Sequence, residues 1–190
     1  MSREKGFTLI EVLVVAGITA FLSSLLIWNF SKSKINLDHS MNIMVADIRL
    51  AQEKTVSSTK YNSAYRCGYG IRYTTTSEYR MYAGPDSSLG TCGTQPNGRN
   101  YSAADGDIDI TTFPLRDSPS VRLSGAFPDI FFEPPNPATF INNSALLNTA
   151  PGKIQLISPN AKCGVNPSSC RIICVYTSGR IDTGIGEVCP

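Results

Sequence analysis

The chain has 190 residues, 42% of them hydrophobic, with a formal charge of +2. That length suits one ordinary globular core plus one further element, and no internal repeat argues for a solenoid. So slight a charge imbalance excludes any argument from whole-chain attraction to nucleic acid or to an anionic membrane surface.

The first predicted element is a helix. Residues 7–30, FTLIEVLVVAGITAFLSSLLIWNF, carry a single charge, Glu11. Rising about 1.5 Å per residue, such a helix spans roughly 36 Å, enough for a bilayer core with some tilt. Arg3 and Lys5 precede the run, so the positive-inside rule keeps the N-terminus in the cytoplasm and sends the rest of the chain outward. The run is longer than the apolar part of a cleaved secretory signal and ends without a small-x-small site. A plain anchor explains the length but not Glu11, because a carboxylate deep in a spanning helix costs on the order of 3 kcal/mol. A cut after Gly6 would make Phe7 the first residue, with a free amine four residues before Glu11. The carboxylate could then meet that cation in its own chain or in a staggered neighbour, and so set the register between helices.

A short basic leader ending in Gly6, then Phe7-Thr8-Leu9-Ile10-Glu11 and an apolar helix, resembles the class III signal of type IV pilins and type II secretion pseudopilins. The resemblance covers residues 1 to about 30. It implies cleavage between Gly6 and Phe7 by a prepilin peptidase, methylation of the new amine, and for Glu11 the role of the family's glutamate at the fifth mature position. It also implies partners: other pilins or pseudopilins, the inner-membrane assembly platform, and membrane lipid before assembly. The implied location is the bacterial inner membrane with the head outside, then the pilus or pseudopilus.

Beyond Lys32 the apolar density falls but the helical period persists through Leu37, Met41, Met44, Val45, Ile48 and Ala51. This is one apolar stripe on a polar helix, expected to pack against a sheet while Lys34, Asp38, Arg49 and Glu53 stay solvated. His39 belongs to the same helix and reads as a surface or interfacial histidine rather than a ligand. The β-branched and small polar residues of TVSSTKYNS, 55–63, end the helix.

From there the period is two. Tyr69, Ile71 and Tyr73 alternate with Gly70 and Arg72, Tyr79 and Met81 flank Arg80, and TTTSE between them reads as a hairpin connection. Further strands are expected at 107–113, 119–124, 129–133, 153–157 and 170–177. Gly84-Pro85, Pro96-Asn97-Gly98, Pro134-Pro135 and Pro151-Gly152 separate them. The links are too short for crossover helices, so the head is an antiparallel sheet or sandwich and the chain is α+β. The organisation is a leader at 1–6, a transmembrane or filament-core helix at 7–30, an amphipathic continuation at 31–58 and a β-rich head at 59–190.

The closing order, an apolar strand running into Glu133-Pro134-Pro135, a Gly-Lys-Ile-Gln-Leu strand, then RIICVYTSGR at 171–180, resembles the C-terminal region of H-type minor pseudopilins and FimT-like minor pilins. This likeness covers roughly 129–184. The cysteine-bearing insertion KCGVNPSSC is extra to that pattern.

Six cysteines, Cys67, Cys92, Cys163, Cys170, Cys174 and Cys189, all follow the apolar run, as expected for disulfides in an oxidising compartment. Zinc is the competing reading. Only Cys170 and Cys174 approach metal-ligand spacing, and the single histidine lies far upstream. On one strand those two cysteines are about 13 Å apart, too far to bond each other. Of the 15 complete pairings that six cysteines allow, Cys163 with Cys170, Cys174 with Cys189 and Cys67 with Cys92 rank first.

No nucleophile and base pair is suggested, and no phosphate-binding loop, so the chain reads as non-enzymatic. Asp105, Asp107 and Asp109 place carboxylates at alternate positions as a weak calcium candidate; a solvated turn entering a strand is the plainer reading, and no other cofactor is expected. The alternative function is DNA binding in natural transformation, implied by likeness to FimT-like pilins whose motif is Gly-Arg-x-Arg. Here Gly179-Arg180-Ile181-Asp182 supplies the first arginine, but a carboxylate replaces the second.

Overall fold

The computed structural model describes residues 8–90, 92–94, 98–135 and 138–190, and of residues 25–33 the backbone alone. One helix, α1 (Leu9–Val56, 48 residues), precedes the strands β1 (Tyr69–Thr75), β2 (Glu78–Ala83), β3 (Ile108–Pro114), β4 (Arg122–Leu123), β5 (Ile130–Glu133), β6 (Ala138–Ile141), β7 (Gly152–Ile157), β8 (Cys170–Val175) and β9 (Ile181–Ile185). Helix α1 runs unbroken because no proline occurs before its end to remove a backbone donor. It stops where Ser57 turns its hydroxyl back onto the Glu53 carbonyl and Ser58 takes a left-handed conformation, φ 47°.

All strand pairings are antiparallel. One sheet has the order β3-β2-β1-β5-β6 and the other β4-β7-β8-β9. The fold is therefore α+β, with α1 packed against β1 and β5 of the first sheet and β7 and β8 of the second. Leu37, Met44, Val45, Ile48 and Ala51 of α1 are buried there, with Met41 partly so. They meet Ile71, Met81, Ile130, Phe132, Ile154, Leu156, Ile173 and Val175 from the two sheets. Fully burying each aliphatic side chain of that stripe contributes about 2 kcal/mol, which fixes the helix in place against the head.

Because strand side chains alternate between faces, Tyr82 and Phe131 point away from α1. With Cys67, and with Cys92, Tyr101 and Phe140 around them, they form a second, smaller cluster on the outer face of the five-stranded sheet. Gly70 makes room for it: a side chain there would meet the Tyr82 ring at 2.6 Å.

Several expectations change. The strand at 119–124 is reduced to Arg122–Leu123, and β6 and β9 were not foreseen. Both follow turns in short mixed segments, ATFI and IDTGI, whose alternation is too brief to detect. Lys34, Arg49 and Glu53 are exposed, but Asp38 is not simply solvated. It is paired with Arg171, which is buried within β8 and reaches back to the helix for a counter-charge. Among the described residues no helix is long and apolar enough to cross a membrane. The spanning run expected at 7–30 includes Phe7 and side chains beyond Ser24 that lie outside the described ones.

Candidate functional site

Gly6 and Phe7 lie outside the described residues; the structure takes up the N-terminal motif at Thr8. Thr8 is extended and caps α1. Its hydroxyl oxygen accepts from the Glu11 amide at 3.4 Å, while the Glu11 carboxylate accepts from the Thr8 amide at 3.5 Å and from its hydroxyl at 3.5 Å. This is a capping box, which satisfies two donors that a helix start leaves open. The carboxylate also sits in the first turn, at the positive end of the helix dipole. Glu11 therefore has partners within its own chain, a relationship that the apolar setting alone did not reveal.

Along the next turns no described residue of the head covers the helix. Leu9 is 82% exposed and Phe21 65%, and Ile10, Val12, Leu13, Val14, Val15, Ile18 and Leu22 are exposed between them. The hydroxyls in this stretch are folded into the helix itself. Thr19 donates to the Val15 carbonyl at 3.0 Å, Ser23 to Thr19 at 2.8 Å and Ser24 to Phe21 at 2.8 Å. The stretch thus presents an apolar surface with its polar groups satisfied internally, as a surface in contact with lipid or with other helices must.

The remaining predicted residues are distributed over the head. Disulfides join Cys67 to Cys92, Cys163 to Cys170 and Cys174 to Cys189, and among the described residues there is no free cysteine. His39 pairs with Asp117 at 2.9 Å. Arg180 is committed to Asp182 at 3.0 Å and lies over the Tyr176 ring, 4.2 Å from its centroid. The residue that breaks the DNA motif thus neutralises the one that matches it, which removes support for that reading.

Asp105, Asp107 and Asp109 do not converge as the calcium reading requires. Asp105 ends a 3-10 turn, Ala103–Asp105; Asp107 bonds the Ser102 amide; Asp109 is held by Arg72 at 2.7 Å and Arg80 at 2.9 Å. Burial pushes the Asp109 carboxyl up, but the two guanidinium groups outweigh it and hold it below the usual carboxylate range. No group of three or more potential metal-ligating side chains occurs among the described residues.

Sequence reasoning missed the long-range pairs. Arg171 with Asp38, Arg99 with Glu133 at 2.8 Å, and Arg72 with Asp109 each join distant segments. The one available signal was Arg171 inside the apolar run CRIICV, since an arginine in a fully buried strand needs a partner.

The first 27 residues match the family model described as the prokaryotic N-terminal methylation motif. That is the prepilin-type signal of pilin-like proteins, and it supports a membrane-anchored, pilin-like structural role with processing by prepilin peptidase and assembly with other pilins. No curated protein and no solved structure matches the chain.

Proposed function

We propose that this chain is a minor pilin or pseudopilin of the H or FimT-like type, a structural subunit of a type IV pilus or type II secretion pseudopilus. The carrying observation is the methylation motif at residues 1–27. Prepilin peptidase cuts between Gly6 and Phe7, the Phe7 amine is methylated, and residues 7–30 hold the precursor in the inner membrane with its head outside. The uncovered apolar stretch of α1 supports this, since a surface of that extent requires lipid before assembly and neighbouring helices after it. The order of β5, β7, β8 and the Ser178-Gly179-Arg180 turn before β9 supports the H or FimT-like subtype.

Glu11 sets the register of that assembly. In the free subunit its carboxylate is held by Thr8; in the filament it meets the Phe7 amine of a neighbour across a water-poor interface, where a full charge pair is stronger than a local cap. Mass spectrometry of the mature protein tests the reading. Loss of residues 1–6 with one added methyl on Phe7 is expected, and a mature chain that keeps its leader while still polymerising would sink it.

A further inference from the structure

Strand β9 ends the four-stranded sheet and pairs with β8 alone. The Tyr176 amide donates to the Arg180 carbonyl and the Gly186 amide to the Cys170 carbonyl. In an antiparallel ladder that alternation turns the backbone groups of Ile181, Thr183 and Ile185 away from β8, toward the open edge. Other sheet ends are blunted: β3 carries a register shift and finishes in Pro114, and β4 has two residues. Strand β9, Ile181–Ile185, has no bulge, proline or lysine, and Thr183 and Ile185 are exposed.

Between this edge and α1 runs a groove of about 690 Å³, lined by Ala46, Arg49, Leu50 and Glu53 on the helix and by Ile181 and Thr183 on the strand. Helix and strand are antiparallel. Gln52 donates to the Gly179 carbonyl at 2.9 Å just before β9, and Arg171, which stands opposite Ile185, bonds Asp38. From Asp38 to Gln52 the helix rises about 21 Å, roughly the length of a seven-residue strand. Arg49 and Glu53 are exposed on the groove's rim and form no ion pair among the described residues. They lie about 6 Å apart along the helix axis, close to the roughly 6.8 Å between alternate residues of a strand.

We propose that this groove binds an extended segment of a different protein chain, added to β9 as a fifth, antiparallel strand. The incoming backbone bonds the outward groups of Ile181, Thr183 and Ile185. Its groove-facing side chains are apolar at first; an acid then meets Arg49, and a base two residues later meets Glu53. Antiparallel pairing continues the pattern of the whole sheet, and it fixes this charge order because the added strand then runs in the direction of α1. A second copy's β9 also matches, the outward groups being symmetrical about Thr183. That twofold pairing, however, sets the two α1 helices antiparallel, which N-termini anchored in one membrane do not permit.

The full chain in detergent micelles, titrated with the fluorescein-labelled peptide Val-Thr-Val-Thr-Glu-Thr-Lys, tests the site. On saturation, hydrogen exchange is expected to slow about ten-fold at the Ile181, Thr183 and Ile185 amides, with little change at Asp182 and Gly184, which already face β8. Thr183→Pro removes an outward donor without touching the β8 ladder and should weaken binding about ten-fold. The parent should prefer this peptide about five-fold over the same peptide ending Lys-Thr-Glu, and the double variant Arg49→Glu, Glu53→Arg should reverse that preference. The proposal is overturned if the three amides stay unprotected, if Thr183→Pro binds as tightly as the parent, or if the charge exchange leaves the preference unaltered. A dimer of the peptide-free chain that Thr183→Pro abolishes, seen by sedimentation, assigns the edge to a second copy and also overturns it. If Thr183→Pro fails to fold, the amide pattern and the charge exchange decide.

Discussion

Arg171 on β8 donates through Nε and Nη2 to the two carboxylate oxygens of Asp38 on α1, residues 133 positions apart in sequence. The same guanidinium donates to the Ser168 and Cys170 carbonyls at 3.1 and 3.0 Å, so one buried group ties helix, sheet and the Cys163–Cys170 loop together. The two ends of the pair are unequal, Arg171 being 7% exposed and Asp38 49%. Asp38→Ala should cost about 2 kcal/mol, because it strands a buried cation. Arg171→Met should cost about 1 kcal/mol, because the carboxylate left behind is half hydrated already. Urea unfolding of both variants checks the order. Since Arg171 holds Asp38 below the usual range, the pair's contribution is present above that range and disappears only as the pH falls through the lowered value.

Ile48 and Ile35 lie on the same helix with opposite surroundings: Ile48 is wholly buried and Ile35 is 62% exposed. Ile48→Ala is expected to destabilise the head by about 3 kcal/mol through lost burial and the cavity left behind. Ile35→Ala should leave thermal unfolding of the head unchanged within about 0.5 kcal/mol. Equal losses at the two sites would contradict the assignment of the apolar stripe.

The disulfides close segments of different length, with sequence separations of 25, 15 and 7. Paired serine variants should lose about 3.5 kcal/mol at Cys67 and Cys92, about 3 at Cys174 and Cys189, and about 2.4 at Cys163 and Cys170. Denaturant midpoints of the three variants give the ranking directly.

Capping and registration can be separated at Glu11. Gln retains the oxygen that accepts from Thr8 but carries no charge; Leu retains neither; Thr8→Val removes the cap hydroxyl and should weaken the helix start by about 1 kcal/mol. On the assembly reading, Glu11→Gln and Glu11→Leu both insert in membranes yet enter filaments poorly, while Thr8→Val assembles nearly normally. Normal incorporation of Glu11→Gln, measured as the ratio of sheared filament to membrane fraction, would assign the residue to capping alone.

What could be read from the sequence were the features written in local periodicity. The stripe from Leu37 to Ala51 gave the buried face of α1, and the alternation around Tyr69 and Tyr79 gave the first hairpin. Cys170 and Cys174, too far apart along one strand to bond each other, were each directed to a partner elsewhere. Features that depend on pairing between distant segments were hidden. Asp129 carries no local mark that it will meet the Tyr101 amide, and Asp38 looks like any solvated helix acid until Arg171 folds onto it. The spacing of Asp105, Asp107 and Asp109 suggested a shared ligand because two arginines from other strands cannot be seen in that stretch. Thr8 followed three residues later by Glu11 is itself a capping signature legible in the sequence, since a Thr-x-x-Glu pattern opens many helices.

A helix of 48 residues with no break extends about 72 Å, and its last third is keyed into both sheets. Such a rod behaves as a strut. A pull at its exposed end reaches the head without slack, and the load is borne by the interlocked side chains and the Arg171 anchor rather than by a hinge. The head should therefore travel as a rigid passenger, advancing or turning with its shaft.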